Sequence, residues 1–233
     1  MISATNLACA HGLHGATFQL DGGITALVGP NGSGKTTLIK AVAGLLKHRG
    51  ELQVEGRISY LPQAHEFQAL MPVRDAVALG RAPYRGPLGG LSERDTAAVA
   101  RAMERTDTAR FALRPVGELS GGERARVALA RAFATEASIL LADEPTASLD
   151  PAQSLRTMQL LKAESETALV LAAVHDLALA ATFADRILVL RNGHLVADGP
   201  PAILNGDVVR DVFGISPPRG GWQSAAPVLS GRG

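Results

Sequence analysis

Gly29-Pro-Asn-Gly-Ser-Gly-Lys35-Thr36 is the stretch that decides the fold. It fits G-x-x-x-x-G-K-[ST], a loop whose successive backbone N–H groups curl around phosphate oxygens while a lysine reaches the outer phosphates and a hydroxyl ligates magnesium. Before it, Ile24-Thr-Ala-Leu-Val28 reads as a short buried strand; after it, Lys35 to Leu46 reads as a helix with Leu38, Val42 and Leu45 on one face. Strand, loop and helix start form the setting a phosphate needs, because the helix end offers free N–H groups and a positive partial charge. Without a ligand, the same run would be an ordinary glycine-rich turn.

Composition bounds what surrounds the loop. A length of 233 residues allows one large domain, or a core with a subdomain, and is enough to bury a sizeable apolar interior. The balance of 23 basic and 22 acidic residues, net +1, gives no broad basic field, so nucleic acid is not an expected partner. The single cysteine, Cys9, excludes an internal disulfide and agrees with a reducing compartment; it reads as a small apolar strand residue. Apolar runs such as Thr167 to Val174 stop well short of the roughly 18 residues a membrane span needs. The N-terminal Met1 to Asn6 lacks a basic region followed by an apolar core, so no secretion signal is expected.

Along the chain, strand-like and helix-like segments alternate, which predicts an α/β core. Arg57 to Leu61, Ser138 to Ala142, Ala168 to Val174 and Arg186 to Leu190 are the predicted core strands, rich in Ile, Leu and Val. Between Met71 and Thr135 the spacing is helical instead, over Val73 to Leu79, Glu93 to Arg105 and Glu123 to Phe133. Arg85 to Gly90 reads as a loop between helices, and Ser92-Glu-Arg-Asp95 as a helix start with serine at the N-cap. The expected organisation is one domain over 1–215, with 1–70 and 136–215 forming the core, 71–135 a helical subdomain, and 216–233 a loose tail or small add-on.

A second motif, Leu119-Ser-Gly-Gly-Glu123, precedes the apolar-periodic residues Val127, Leu129, Ala130 and Phe133. Ser120 and Glu123 have the spacing of a capping box. Capping does not explain Gly121 and Gly122 in a first turn, where each costs about 1 kcal/mol relative to alanine; bare N–H groups at a positive helix end suit an incoming phosphate. A third motif, Ile139-Leu-Leu-Ala-Asp143-Glu144-Pro145, presents two adjacent carboxylates at a strand tip, where α/β sheets place ligands. On an extended chain the two side chains would point to opposite sides, leaving Asp143 to hold hydrated magnesium and Glu144 to face an attacking water.

At this point the residues resemble the ATP-binding cassette family, and the resemblance covers nearly the whole chain. The motifs run in the family's order: phosphate loop, Gln63 after a strand, Leu119 to Glu123, Asp143-Glu144, Ser148-Leu149-Asp150 and His175. The fold implied is a P-loop NTPase core of cassette type, α/β, with an N-terminal antiparallel β subdomain and an inserted α-helical subdomain. The resemblance also implies a head-to-tail homodimer, each ATP lying between the phosphate loop of one chain and the signature helix of the other. Backbone amides from Asn31 to Thr37, through Gly32, Ser33 and Gly34, would then cradle the phosphates behind Gly29 and Pro30. Lys35 would supply charge, and Thr36, Gln63 and Asp143 would surround Mg2+. Glu144 becomes the general base, with His175 orienting it and the water, while Ser120, Gly121, Gly122, Glu123 and Asp150 face the other subunit's nucleotide. Asp150 before Pro151 also reads as an N-cap followed by proline at the first helical position, and Asp176 as another N-cap.

Two departures stand out. By position after Asn6-Leu7, His11 takes the place of the aromatic residue that stacks on adenine in many relatives; an imidazole can stack over less area. Ala142 stands where a bulkier aliphatic is usual, which reads as packing variation.

A looser similarity concerns Val73 to Tyr84, His175-Asp-Leu-Ala-Leu-Ala180, Ala197 to Ala202 and Val212-Phe-Gly-Ile215, which look like importer ATPases for iron chelates, haem and cobalamin. The implied partners are two integral-membrane permease subunits docking over Ala64 to Tyr84, and an extracytoplasmic binding protein. The implied location is peripheral, on the cytoplasmic side of the inner membrane. Transport of another solute, export, and a soluble cassette protein outside transport are the alternative readings.

Overall fold

The computed structural model describes residues 1–10, 12–64, 66–85 and 89–225. His11, the expected adenine-side residue, lies outside the described residues, and so do His65, part of the Arg85 to Gly90 loop and the end of the tail.

In chain order the first stretch contains β1 (Ile2–Cys9), β2 (Leu13–Leu20), β3 (Ile24–Val28), α1 (Lys35–Val42), β4 (Arg49–Val54) and β5 (Ile58–Leu61). Next come α2 (Val73–Ala78), α3 (Glu93–Arg105) and α4 (Gly121–Ala134), with no named strand among the described residues between β5 and β6. The last stretch contains β6 (Ile139–Ala142), α5 (Pro151–Glu164), β7 (Leu169–Ala173), α6 (Leu177–Phe183), β8 (Arg186–Arg191), β9 (His194–Gly199) and α7 (Asp207–Phe213).

Two sheets result. One is antiparallel, with order β2-β1-β4; the other runs β5-β6-β7-β3-β8-β9 and is parallel except at β9. Strands β3, β6 and β7 are buried throughout, as strands covered on both faces must be. Strand alternation divides their side chains between two cores. Leu27, Leu141, Leu171 and Leu188 pack with Leu38 and Ile39 of α1 and with the antiparallel sheet. Ala26, Leu140, Val170 and Val189 pack on the opposite face with residues of α4, α5 and α6, including Val127, Met158 and Ala180.

Two local expectations need correction. α1 ends at Val42 rather than Leu46, because Gly44 takes a left-handed φ of 73° and closes the helix with an N–H donated to the Ala41 carbonyl. Leu45, expected on the buried face, is therefore 57% exposed. The α2 helix stops at Ala78 and continues as a 3-10 turn, Leu79–Tyr84, that accommodates Pro83. The described part of the tail carries a 3-10 turn at Trp222–Ala225, where Trp222 Nε1 donates to the Leu204 carbonyl and Gln223 Nε2 to that of Ala181.

Between β5 and β6, one buried cation ties the helices together. Arg81 is 1% exposed, donates to Asp95 Oδ1 at 2.7 Å and Glu136 Oε2 at 3.1 Å, and lies 3.7 Å from the Tyr84 ring centroid. The Tyr84 hydroxyl in turn donates to the Thr135 carbonyl at the end of α4. Asp95 doubles as the partner of Ser92 in the capping box that starts α3. Its hydrogen bonds from Ser92, then Arg81, hold the carboxylate down to about 2.

Candidate functional site

Parallel pairing brings the site together. Leu61 pairs with Ala142, Ala142 with Ala172, and Leu27 with Ala173, so the carboxyl ends of β5, β6, β7 and β3 stand side by side. The residues just beyond those ends are Gln63, Asp143 with Glu144, His175, and the phosphate loop, which is where an open α/β sheet binds ligands. A cavity of about 420 Å³ lies here, its wall including Asn31, Gly32, Gly34, Lys35, Thr36 and Thr37 opposite Gln63, Glu144 and His175.

The loop's glycines have steric reasons. A Cβ on Gly29 would lie 2.3 Å from the Leu190 carbonyl oxygen, and one on Gly34, whose φ is 103°, would lie 2.6 Å from the Gly12 carbonyl oxygen. The loop is thus clamped between the β1–β2 and β8–β9 turns, with Gly193 N–H donating to the Ser33 carbonyl. Lys35 is 4% exposed and its Nζ donates to the Gly29 and Pro30 carbonyls at 2.9 and 3.1 Å. Burial pulls its pKa down, and the nearby Glu144 and Asp143 oppose that. Ser33 Oγ is buried without a hydrogen-bond partner among the described residues. A lysine, an unpartnered hydroxyl and the amides at the α1 start form a cradle that fits a polyphosphate.

The two carboxylates are separated, though not by strand alternation. β6 ends at Ala142, and Glu144 adopts a left-handed φ of 51°, a conformation that costs a non-glycine residue about 1–3 kcal/mol and that clusters at active sites. Asp143 stays inside, 1% exposed, accepting from Thr36 Oγ1 at 2.9 Å and from the Tyr60 hydroxyl at 3.5 Å. Burial raises its pKa, partly offset by the Thr36 bond. Glu144 turns outward, accepting from Gln63 Nε2 at 2.6 Å and lying 2.5 Å from His175 Nε2. The hydroxyl, carboxylate and amide oxygens of Thr36, Asp143 and Gln63 are the hard donor set that suits Mg2+.

Ser120, Gly121, Gly122, Glu123 and Asp150 do not line this cavity. Ser120 Oγ accepts from Glu123 N–H while Glu123 accepts from Ser120 N–H, which is the expected capping box; that backbone bond holds the Glu123 carboxylate below its ordinary range. Asp150 caps α5 by accepting from Gln153 N–H at 2.8 Å, with Pro151 next, and Asp176 caps α6 directly after His175. The two signature glycines differ. A Cβ on Gly121 would meet nothing within 4 Å, whereas one on Gly122 would press on Gln153 at 3.2 Å.

Sequence reasoning overlooked Tyr60, whose hydroxyl touches Asp143; burial first, and then the Asp143 charge, push its pKa up to about 12. The available signal was its place on the strand that ends two residues before Gln63.

The ABC transporter family pattern matches residues 13–147. Hemin import ATP-binding protein HmuV of Streptomyces coelicolor is 44% identical over 196 residues, covering 78% of this chain and 69% of that protein. Cobalamin import ATP-binding protein BtuD of Halobacterium salinarum is 42% identical over 210 residues, 83% of this chain but 52% of that protein, so the chain spans about half of that relative's length. Among solved structures, an inward-facing conformation of a metal-chelate type ABC transporter superposes with a TM-score of 0.85 at 27% identity, over 92% of this chain and 89% of that one. The dimeric structure of the bacterial ABC transporter cassette MJ0796 superposes at 0.75 with 26% identity, over 86% and 99%.

Proposed function

The chain belongs to the ABC transporter family, and from that premise we propose that it is the ATP-hydrolysing subunit of an importer for an iron chelate, haem or cobalamin. The observation that carries the activity is Glu144, held between Gln63 and His175 on the wall of the cavity that Lys35 and the loop amides define.

ATP enters this site as substrate, its phosphates on the amides of Gly32 to Thr37 and its outer charge met by Lys35. Glu144 takes a proton from water as the oxygen attacks the γ-phosphorus in line; the bond to the β–γ bridging oxygen breaks, and ADP and phosphate result. His175 and Gln63 fix the Glu144 carboxylate, so the base needs no reorganisation during reaction. Thr36, Gln63 and Asp143 would hold Mg2+, which would supply charge neutralisation on the phosphates.

Ser120, Gly121 and Gly122 lie away from this cavity, and we assign them, with Glu123 and Asp150, to the nucleotide of a second copy. The dimeric MJ0796 cassette, which superposes over nearly its full length, supports that assignment. Specific activity would then rise with protein concentration, because two chains complete each site; a flat dependence would contradict it.

Among the described residues no helix is long and apolar enough to cross a membrane. We assign this chain a peripheral place on the inner face, beside two permease subunits served by an extracytoplasmic binding protein; the relatives named for hemin and cobalamin import support the import role. Co-purification with such a permease tests that reading, and recovery with ribosomes or DNA instead would overturn it.

A further inference from the structure

Arg126 on α4 is 7% exposed and makes no ion pair among the described residues. Its Nη1 donates to Gln153 Oε1 at 2.8 Å, and its Nε has no partner among the described residues. Burial depresses the guanidinium's pKa and Arg156 adds to that, while the charges of Asp107 and Glu123 oppose it from a distance. A largely buried cation whose Nε lacks a partner is a costly arrangement.

Its partner explains the placement. Gln153 stands in the first turn of α5, and its backbone N–H is the one that Asp150 caps at 2.8 Å. Its side chain also lies against Gly122, whose missing Cβ would be 3.2 Å from both Gln153 Cγ and Cδ. A single residue therefore touches the signature glycine, the signature-helix arginine and the aspartate of the Ser148 to Asp150 turn.

We propose that Gln153, fixed by Arg126, is a positioning residue that locks the Ser120–Gly122 helix start to Asp150, so that both meet a partner chain's nucleotide as one rigid wall. This rests on the assignment of those residues to a second copy's ATP. It gives Gly122 a packing reason distinct from that of Gly121, which is open to an incoming phosphate.

The test is ATP-driven dimerisation of full-length protein in a Glu144→Gln background, followed by light scattering against ATP concentration. Gln153→Ala should raise the ATP needed for half-dimerisation by about fivefold or more, the scale of coupling between residues in contact. Nucleotide affinity at the monomer's own phosphate loop should stay unchanged. Gln153→Glu, which keeps an acceptor for Arg126, should dimerise like the parent, and circular dichroism checks that each variant is folded. Gly122→Ala should weaken dimerisation in the parent but add nothing once Gln153 is alanine. Equal cost of Gly122→Ala in both backgrounds, or parent-like dimerisation of Gln153→Ala, would overturn the proposal. If the parent itself fails to dimerise with ATP while its monomer still binds nucleotide, the two-chain reading fails and takes this proposal with it.

Discussion

At the phosphate loop the polar groups converge on a cavity, whereas at the signature helix they turn back onto their own backbone. Lys35, Thr36, Gln63, Glu144 and His175 approach one another from four strand ends, and polar contacts between those ends join Thr36 to Asp143 and Glu144 to Gln63 and His175. Ser120, Glu123 and Asp150 instead satisfy the first turns of α4 and α5. The first region is organised before any partner arrives. The second is held by caps in the single chain, with open space at Gly121 among the described residues. The difference teaches that one chain preorganises a phosphate cradle at its strand ends, while the signature helix start is satisfied by its own caps; under the proposed function it closes over another chain's nucleotide.

Breaking the first region should have the largest effect. Lys35→Ala removes the one ammonium on the loop and should lower phosphate release about 10²-fold or more, with weaker nucleotide binding by the monomer. Next, Gly29→Ala forces a methyl to 2.3 Å from the Leu190 carbonyl oxygen, so overpacking should cost about 1–3 kcal/mol. The melting midpoint should fall by roughly 2–10 °C, read by calorimetry without nucleotide.

The second region should answer differently. Asp150→Ala removes a helix cap worth about 1 kcal/mol. It should leave nucleotide affinity of the monomer intact and reduce turnover, a split visible by comparing titration calorimetry with phosphate release. Equal losses in both assays would erase the contrast between the two faces.

Acid should sharpen it. Asp95 is held down to about 2, and Glu123 below its ordinary range, so both favour the folded state above their unfolded pKa values, near 4, and lose that contribution as pH falls toward their folded values. Amide exchange between about pH 4 and 2 should therefore rise first in α3 and α4, ahead of β3, β6 and β7. Asp95→Asn should remove most of that acid response in α3.

Much of this was legible in sequence because the chemistry sits in short contiguous motifs. Ile24 to Val28 with its loop, the caps at Ser92, Ser120, Asp150 and Asp176, and the apolar β6 and β7 runs each carry their local physics in a few residues. What escaped was written in tertiary space. β4 and β9 are half-exposed strands with no continuous apolar run to announce them. The outward turn of Glu144 depends on a positive φ that strand alternation does not foresee. Gln153 and Tyr60 are ordinary residues until α4 and β6 are packed against them.

Under the proposed function, two chains must meet for either ATP to be hydrolysed. Glu144→Gln keeps the size of the side chain and its hydrogen-bonding reach while abolishing the base, so light scattering of this variant with ATP and Mg2+ measures that claim directly. The account predicts a shift from monomer to a stable dimer that ADP does not support, with phosphate release reduced to near background. A monomer under all conditions, or undiminished hydrolysis, would contradict it.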